Sequence, residues 1–137
     1  MLYEELTARI LESCFEVSNA LGIGYIESVY ENAFFVALIQ KGVKVERQVP
    51  LKVKFHDVIV GDFKADRIVE GKVLLELKAV STLAKEHYAQ LLNYLKTTGI
   101  EVGMVINFGN PRLQYRRFEN RFGRNIEIAD SFQEITD

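Results

Sequence analysis

Ala65-Asp66-Arg67-Ile68-Val69-Glu70-Gly71-Lys72-Val73-Leu74-Leu75-Glu76-Leu77-Lys78 is the stretch on which the fold turns. Val73, Leu75, Leu77 and the following Ala79 alternate with Lys72, Leu74, Glu76 and Lys78. That period of two predicts a strand with the first set in the core and the second on the opposite face. A second strand carries Asp66, and Glu70-Gly71 marks the turn between them. Asp66 and Glu76 share a face only if paired residue numbers sum to an even value. A two-residue Glu70-Gly71 turn pairs Val69 with Lys72 and parts the two acids. A three-residue loop, Val69-Glu70-Gly71, pairs Ile68 with Lys72 and sets Asp66 opposite Leu74, diagonal to Glu76. It also gives Gly71 the left-handed position that glycine fills without strain. The turn chemistry therefore predicts the second register, with Lys78 on the same face.

Two carboxylates and a lysine on one strand pair suit metal-dependent phosphodiester hydrolysis. Hard divalent cations take oxygen ligands, and a lysine can orient the attacking water or offset phosphate charge. Acids gathered around Lys78 repel one another unless a cation joins them.

Downstream, Tyr88, Leu91, Leu92 and Leu95 make the core stripe of a helix over 84–98, closed by Gly99. His87, Gln90 and Tyr94 form a separate polar stripe, three and four residues apart. Val102 to Phe108 reads as a buried strand, and a helix joining it to the Glu76 strand predicts parallel neighbours. Residues 112–122 read as an edge strand or a short helix, and the last dozen residues as a loose polar tail. Upstream, Leu6, Ile10, Cys14, Val17 and Leu21 predict a helix over 4–20 that stops at Gly22 and Gly24. Tyr30, Phe34, Ala37 and Leu38 predict another over 26–41, ended by Gly42. Glu27 falls on the inward side of that helix, where a carboxylate needs a partner or a metal. Val43 to Gln48 and Leu51 to Phe55 read as strands either side of Pro50, with His56-Asp57 turning into Val58-Ile59-Val60.

The 137 residues are 48% hydrophobic and 26% charged, the composition of one folded domain rather than a disordered chain. The longest apolar run, Ala33 to Ile39, is too short to span a bilayer, and the charged N-terminus does not read as a secretory signal. A cytoplasmic location without membrane attachment is expected. Cys14 is the only cysteine, which excludes an internal disulfide and a cysteine-rich zinc site. It is expected in the core. Net charge is −2, yet residues 1–40 hold six acids and one base while the rest hold thirteen acids and sixteen bases. Arg112, Arg116, Arg117, Arg121 and Arg124 are interleaved with Tyr115, Phe118 and Phe122. Such a cluster can track phosphates and stack on bases, or be a solvated face. His87 is a further candidate contact for a phosphate or a metal.

Asp66 with Glu76-Leu77-Lys78 resembles the motif of the PD-(D/E)XK nuclease superfamily, with Ala65 in place of its loosely kept proline. Gln90-Leu91-Leu92-Asn93-Tyr94 resembles the Q-x-x-x-Y motif of the RecB-like branch. Gly24-Tyr25-Ile26-Glu27-Ser28-Val29-Tyr30 is similar to the signature of the small bacterial GxxExxY proteins. The resemblance runs from about Leu6 to Phe122. It implies an α/β fold with a mixed sheet: a restriction-endonuclease-like α-β-β-β-α-β core behind an extra N-terminal helix. It implies Mg²⁺- or Mn²⁺-dependent cleavage of nucleic acid, with DNA as the expected partner. The metal ligands would be Asp66, Glu76, the backbone carbonyl of Leu77 and Glu27, with Lys78, Gln90 and Tyr94 completing the catalytic set. A chain this small offers little surface for gripping a duplex, so a homodimer is an open expectation. The rival readings are a non-catalytic nucleic-acid-binding module and a partner subunit that keeps the fold; the clustered acids argue against both.

Overall fold

Leu6, Ile10, Cys14, Val17 and Leu21 do lie on one helical stripe. In the computed structural model, which describes residues 2–120, 126–128 and 133–135, α1 spans Glu4–Leu21 and buries Ile10, Cys14 and Val17. The second stripe forms α2, Glu27–Gln40, burying Tyr30, Phe34, Ala37 and Leu38. Three strands follow: β1 Val45–Phe55, β2 Val58–Val69 and β3 Val73–Lys78. Then come α3, Lys85–Thr98, and strands β4 Val102–Asn107 and β5 Leu113–Asn120. With α1 as the extra helix, this is the α-β-β-β-α-β order expected from the resemblance.

One sheet holds every strand among the described residues in the order β1-β2-β3-β4-β5-β6, where β6 is Ile126–Ile128; β7, Gln133–Ile135, also pairs with β5. All neighbours are antiparallel except β3 and β4, which are parallel because α3 carries the chain back across the sheet. The stretch after 124, read as a loose tail, thus contributes two short strands. β5 is a strand, as one of the two expectations had it, but it is interior rather than an edge.

The sheet has an apolar core on each face. Val73, Leu75, Leu77, Met104 and Ile106 pack with the buried stripes of α1 and α2. Leu74, Val105 and Phe118 pack under Leu91 and Leu95 of α3. Both sets of alternating residues in β3 are therefore buried, as expected of a strand covered on both faces. Cys14 lies fully in the first core, where burial pushes its thiol well above the ordinary value.

The β2–β3 register departs from expectation by one step along the ladder. Pairs are Arg67↔Leu75, Ile68↔Leu74 and Val69↔Val73, so the three-residue loop is Glu70-Gly71-Lys72 and not Val69-Glu70-Gly71. Glu70 and Gly71 both take left-handed conformations, φ 53° and 66°. Glu70 tolerates its position because its N–H donates to the Lys44 carbonyl and its carboxylate accepts from the Lys44 N–H. The even parity holds, and Asp66 faces Glu76 directly instead of diagonally.

Pro50 does not split β1, because it sits in an outer strand where its missing N–H leaves no neighbour unpaired. Gln48 departs from strand backbone, φ 50°, between the Arg47↔Arg67 and Val49↔Ala65 pairs and level with Asp66, while the register itself shifts further out, between Val53 and Lys54. Ile68 and Ala65, three residues apart, both join the α3 core. A regular strand forbids that, so β2 changes face at Asp66. β1 does the same: Val45 packs on the α1–α2 side, Val49 and Leu51 on the α3 side. Beyond this break the two strands run on as an arm to the His56-Asp57 turn, both residues left-handed, φ 49° and 62°.

Candidate active site

The β2–β3 ladder stops at Arg67↔Leu75, and at the next position side chains replace carbonyls. The Asp66 N–H donates to Glu76 Oε2 at 3.2 Å, and the Leu77 N–H donates to Asp66 Oδ2 at 3.0 Å. Each carboxylate thus reaches across the gap to the other strand. Glu76 is only 2% exposed because α3 covers its face. Burial, then repulsion from Asp66 and a hydrogen bond with it, push the Glu76 carboxyl up to about 9; Lys78 opposes this only in part.

α2 supplies two more acids. Glu27 is its first residue and Glu31 lies one turn on. One carboxylate oxygen from each of Glu27, Glu31 and Asp66 falls within 4.8 Å of the others. Burial, a hydrogen bond with Glu31 and repulsion from Asp66 push Glu27 up to about 7, with Lys78 again opposing. Glu31 was missed in the sequence, although its i, i+4 spacing from Glu27 puts both on one helical face. The cluster fits a divalent cation in donor chemistry, since all its donors are hard oxygens. It also fits in charge, since two carboxyls are held toward protonation where a single lysine faces four acids.

Two buried groups fix where α2 presents these acids. The Tyr30 hydroxyl donates to the Gly22 carbonyl at 2.7 Å and accepts from the Tyr25 N–H at 3.3 Å, tying down the loop that leads to Glu27. Its ring stacks on Phe108 at 5.2 Å. Arg67, fully buried, donates to the Glu31 carbonyl at 2.5 Å and the Asp66 carbonyl at 3.2 Å. One guanidinium therefore binds the backbone of both acid-bearing elements. Nothing in the sequence marked it, because alternation placed Arg67 on the face away from Asp66.

The polar stripe of α3 meets Lys78. Lys78 Nζ donates to Gln90 Oε1 at 3.2 Å, and Gln90 Nε2 donates to the Tyr94 hydroxyl at 3.0 Å. Burial raises the Tyr94 phenol, the Gln90 bond lowers it, and the nearby Glu76 and Asp66 raise it further. Tyr94 is mostly buried, so a buried hydroxyl anchors an exposed amide that in turn anchors the lysine. His87 accepts the Ala84 N–H at Nδ1, 2.9 Å, and so caps the start of α3.

The arginine cluster is divided. Arg117, 2% exposed, pairs with Glu119 at 2.6 Å and donates to the Leu2 carbonyl, under α1. Arg116 lies half-buried over the rings of Tyr88 and Phe118, at 4.9 and 5.2 Å. Arg112 is exposed; Arg121, Phe122 and Arg124 fall outside the described residues. Among the described arginines, Arg112, Arg116 and Arg117 do not form one surface, because Arg117 is occupied inside the protein.

Residues 4–118 match the family profile of the PD-(D/E)XK nuclease superfamily. The chain belongs to the PD-(D/E)XK nuclease superfamily. Its mixed sheet between helices is a restriction-endonuclease-like fold, and the acidic cluster at Asp66 is the kind of site at which nucleases of this superfamily hold a divalent metal. Comparisons with curated proteins and with solved structures give no match. Among the described residues, no helix is long and apolar enough to cross a membrane.

Proposed function

We propose that this PD-(D/E)XK protein is a metal-dependent nuclease that hydrolyses phosphodiester bonds, with DNA as the leading substrate and the cytoplasm as its place of work. The observation that carries this is the meeting of Asp66, Glu76, Glu27 and Lys78 in one site, from three separate elements. The Gly24–Tyr30 and Gln90–Tyr94 segments support a place among GxxExxY proteins in the RecB-like branch.

Asp66, Glu76, the Leu77 carbonyl and Glu27 would hold Mg²⁺ or Mn²⁺, and Glu31 would be a further ligand on the same helix face as Glu27. Such an ion supplies Lewis-acid stabilisation of phosphate charge and lowers the pKa of bound water. Lys78 holds the attacking water in line and offsets negative charge as the bond to the leaving oxygen breaks. Gln90, itself held by Tyr94, keeps the Lys78 ammonium at the acids instead of in solvent.

The test is cleavage of labelled linear, circular and flapped substrates in Mg²⁺ or Mn²⁺, with size-exclusion chromatography to settle monomer against homodimer. Lys78→Ala should lower the rate by about 10²–10⁴-fold, the usual contribution of a positioned proton-transfer group. Independently, Mg²⁺ or Mn²⁺ should raise the melting temperature of the parent but not of Asp66→Ala. A parent with no metal-dependent shift and no cleavage of any substrate would refute the proposal.

A further inference from the structure

Beside the acidic site the arm of β1 and β2 stands against α3, and between them lies a cleft of about 860 Å³. That is within the range, about 300–1,000 Å³, of pockets that enclose a ligand. Gln90 and Tyr94 belong to its wall, and they are the same two residues that hold Lys78. The cleft and the acidic site are therefore joined through Gln90 and Tyr94. Across from α3, Phe63 leans on Tyr94 with ring centroids 5.9 Å apart and a 48° tilt, yet stays 47% exposed. Phe63 thus offers the cleft an aromatic ring half open to water. Lys54 and Lys96, both exposed, lie on the two sides of the cleft, and Glu86 is the acid in its lining. Lys52 also lines it but is paired with Asp62 at 3.1 Å.

We infer that this cleft seats a single-stranded segment of nucleic acid, one base stacking on Phe63 beside Tyr94 while Lys54 and Lys96 meet flanking phosphates. The inference rests on the nuclease reading and names the form of its substrate. Aromatic faces are useful to a strand whose bases are unstacked; in a duplex those faces are covered by neighbouring base pairs. Lysines flanking a ring give the combination by which single strands are held without reading sequence. The charge order along the surface agrees: cations line the cleft where intact phosphates would lie, and acids gather past Gln90 where a cation and the scissile phosphate would meet. Phe63 is thus a binding residue supplied by the arm, set apart from the hydrolytic groups.

Binding can be read without cleavage. In EDTA, fluorescence anisotropy with labelled oligothymidylate, oligouridylate and a duplex of equal length should show either single strand binding more tightly than the duplex; the tighter of the two identifies the sugar preferred. Phe63→Leu, which keeps apolar bulk but not the ring, should weaken single-strand binding about five- to a hundredfold, as loss of one stacking partner does. Phe63→Tyr should bind as the parent does. Lys54→Ala, at an exposed position that folding tolerates, should reduce the steepness of log K against log salt by about 0.7, one phosphate contact on a single strand. Equal or tighter duplex binding, or an unchanged affinity in Phe63→Leu, overturns the inference. Cleavage that persists with Phe63 variants binding as the parent does removes the cleft and leaves the nuclease. Single-strand preference with no cleavage in Mg²⁺ or Mn²⁺ does the reverse.

Discussion

Glu76 shows how far one residue can sit from its solution behaviour. Its carboxyl is held up to about 9 in the fold, against about 4.5 in an unfolded chain, and Glu27 is held up to about 7. A carboxyl raised in this way favours the folded state while protonated, and that contribution is lost as pH climbs from about 4.5 through the folded value. The metal-free protein should therefore melt at progressively lower temperature from pH 5 to pH 9 in EDTA. Glu76→Gln, which cannot ionise, should flatten that decline, and a slope identical to the parent's would show that Glu76 is not its source. Gln90 is a positioning residue. Gln90→Ala should lower kcat about 10–100-fold with KM little changed, the scale seen when a group that orients a site residue is lost. A loss confined to KM would instead leave Gln90 as part of the cleft wall and not as a support for Lys78.

At the scale of elements, the site depends on how α2, β2 and β3 are tied together. Arg67→Met should cost about 1–3 kcal/mol in a urea melt, because it leaves the Glu31 and Asp66 carbonyls without their shared donor. The same change should weaken the metal-induced rise in melting temperature, since α2 is then free to draw Glu27 and Glu31 away from Asp66. Gly109 is a second tie. A Cβ there would lie 2.4 Å from the Val80 carbonyl oxygen, where Asn107 also binds both the Val80 N–H and carbonyl. Gly109→Ala should destabilise by about 1–3 kcal/mol through overpacking. It should also disturb the approach to α3, detectable as a faster hydrogen exchange over residues 79–84.

For the whole molecule, what could be read from sequence follows from what local patterns encode. The helical stripes of α1, α2 and α3 each bury against one sheet face, so their period was legible within a residue or two at each end. The parity of Asp66 and Glu76 was legible too, because only even registers bring them together. The loop's position was not: moving it by one residue while keeping three in the loop preserves parity, and what favours Glu70 in a left-handed conformation is its pairing with Lys44, a tertiary contact. Arg67 and Glu31 escaped notice for a related reason. Each acts through its placement beside another element, which alternation along one strand or helix does not reveal. Arg116 and Arg117 differ in the opposite sense: neighbours in sequence, they alternate across β5, and Arg117 is buried.

The change of face at Gln48 and Asp66 has a consequence for how such a protein can diversify. Up to that level β2 is constrained on both sides, by α2 through Arg67 and by β3 through its ladder. Past it, among the described residues, the arm pairs only with itself and rests on α3 by one side, while Phe55, Val58, Ile59 and Val60 stay open to water. An arm so attached can lengthen, shorten or exchange its outer residues in matched pairs without moving Asp66 relative to Glu76. The hydrolytic centre is then a fixed part and the arm an interchangeable one, so new substrate preferences can be acquired at the tip while the chemistry at its root stays as it is.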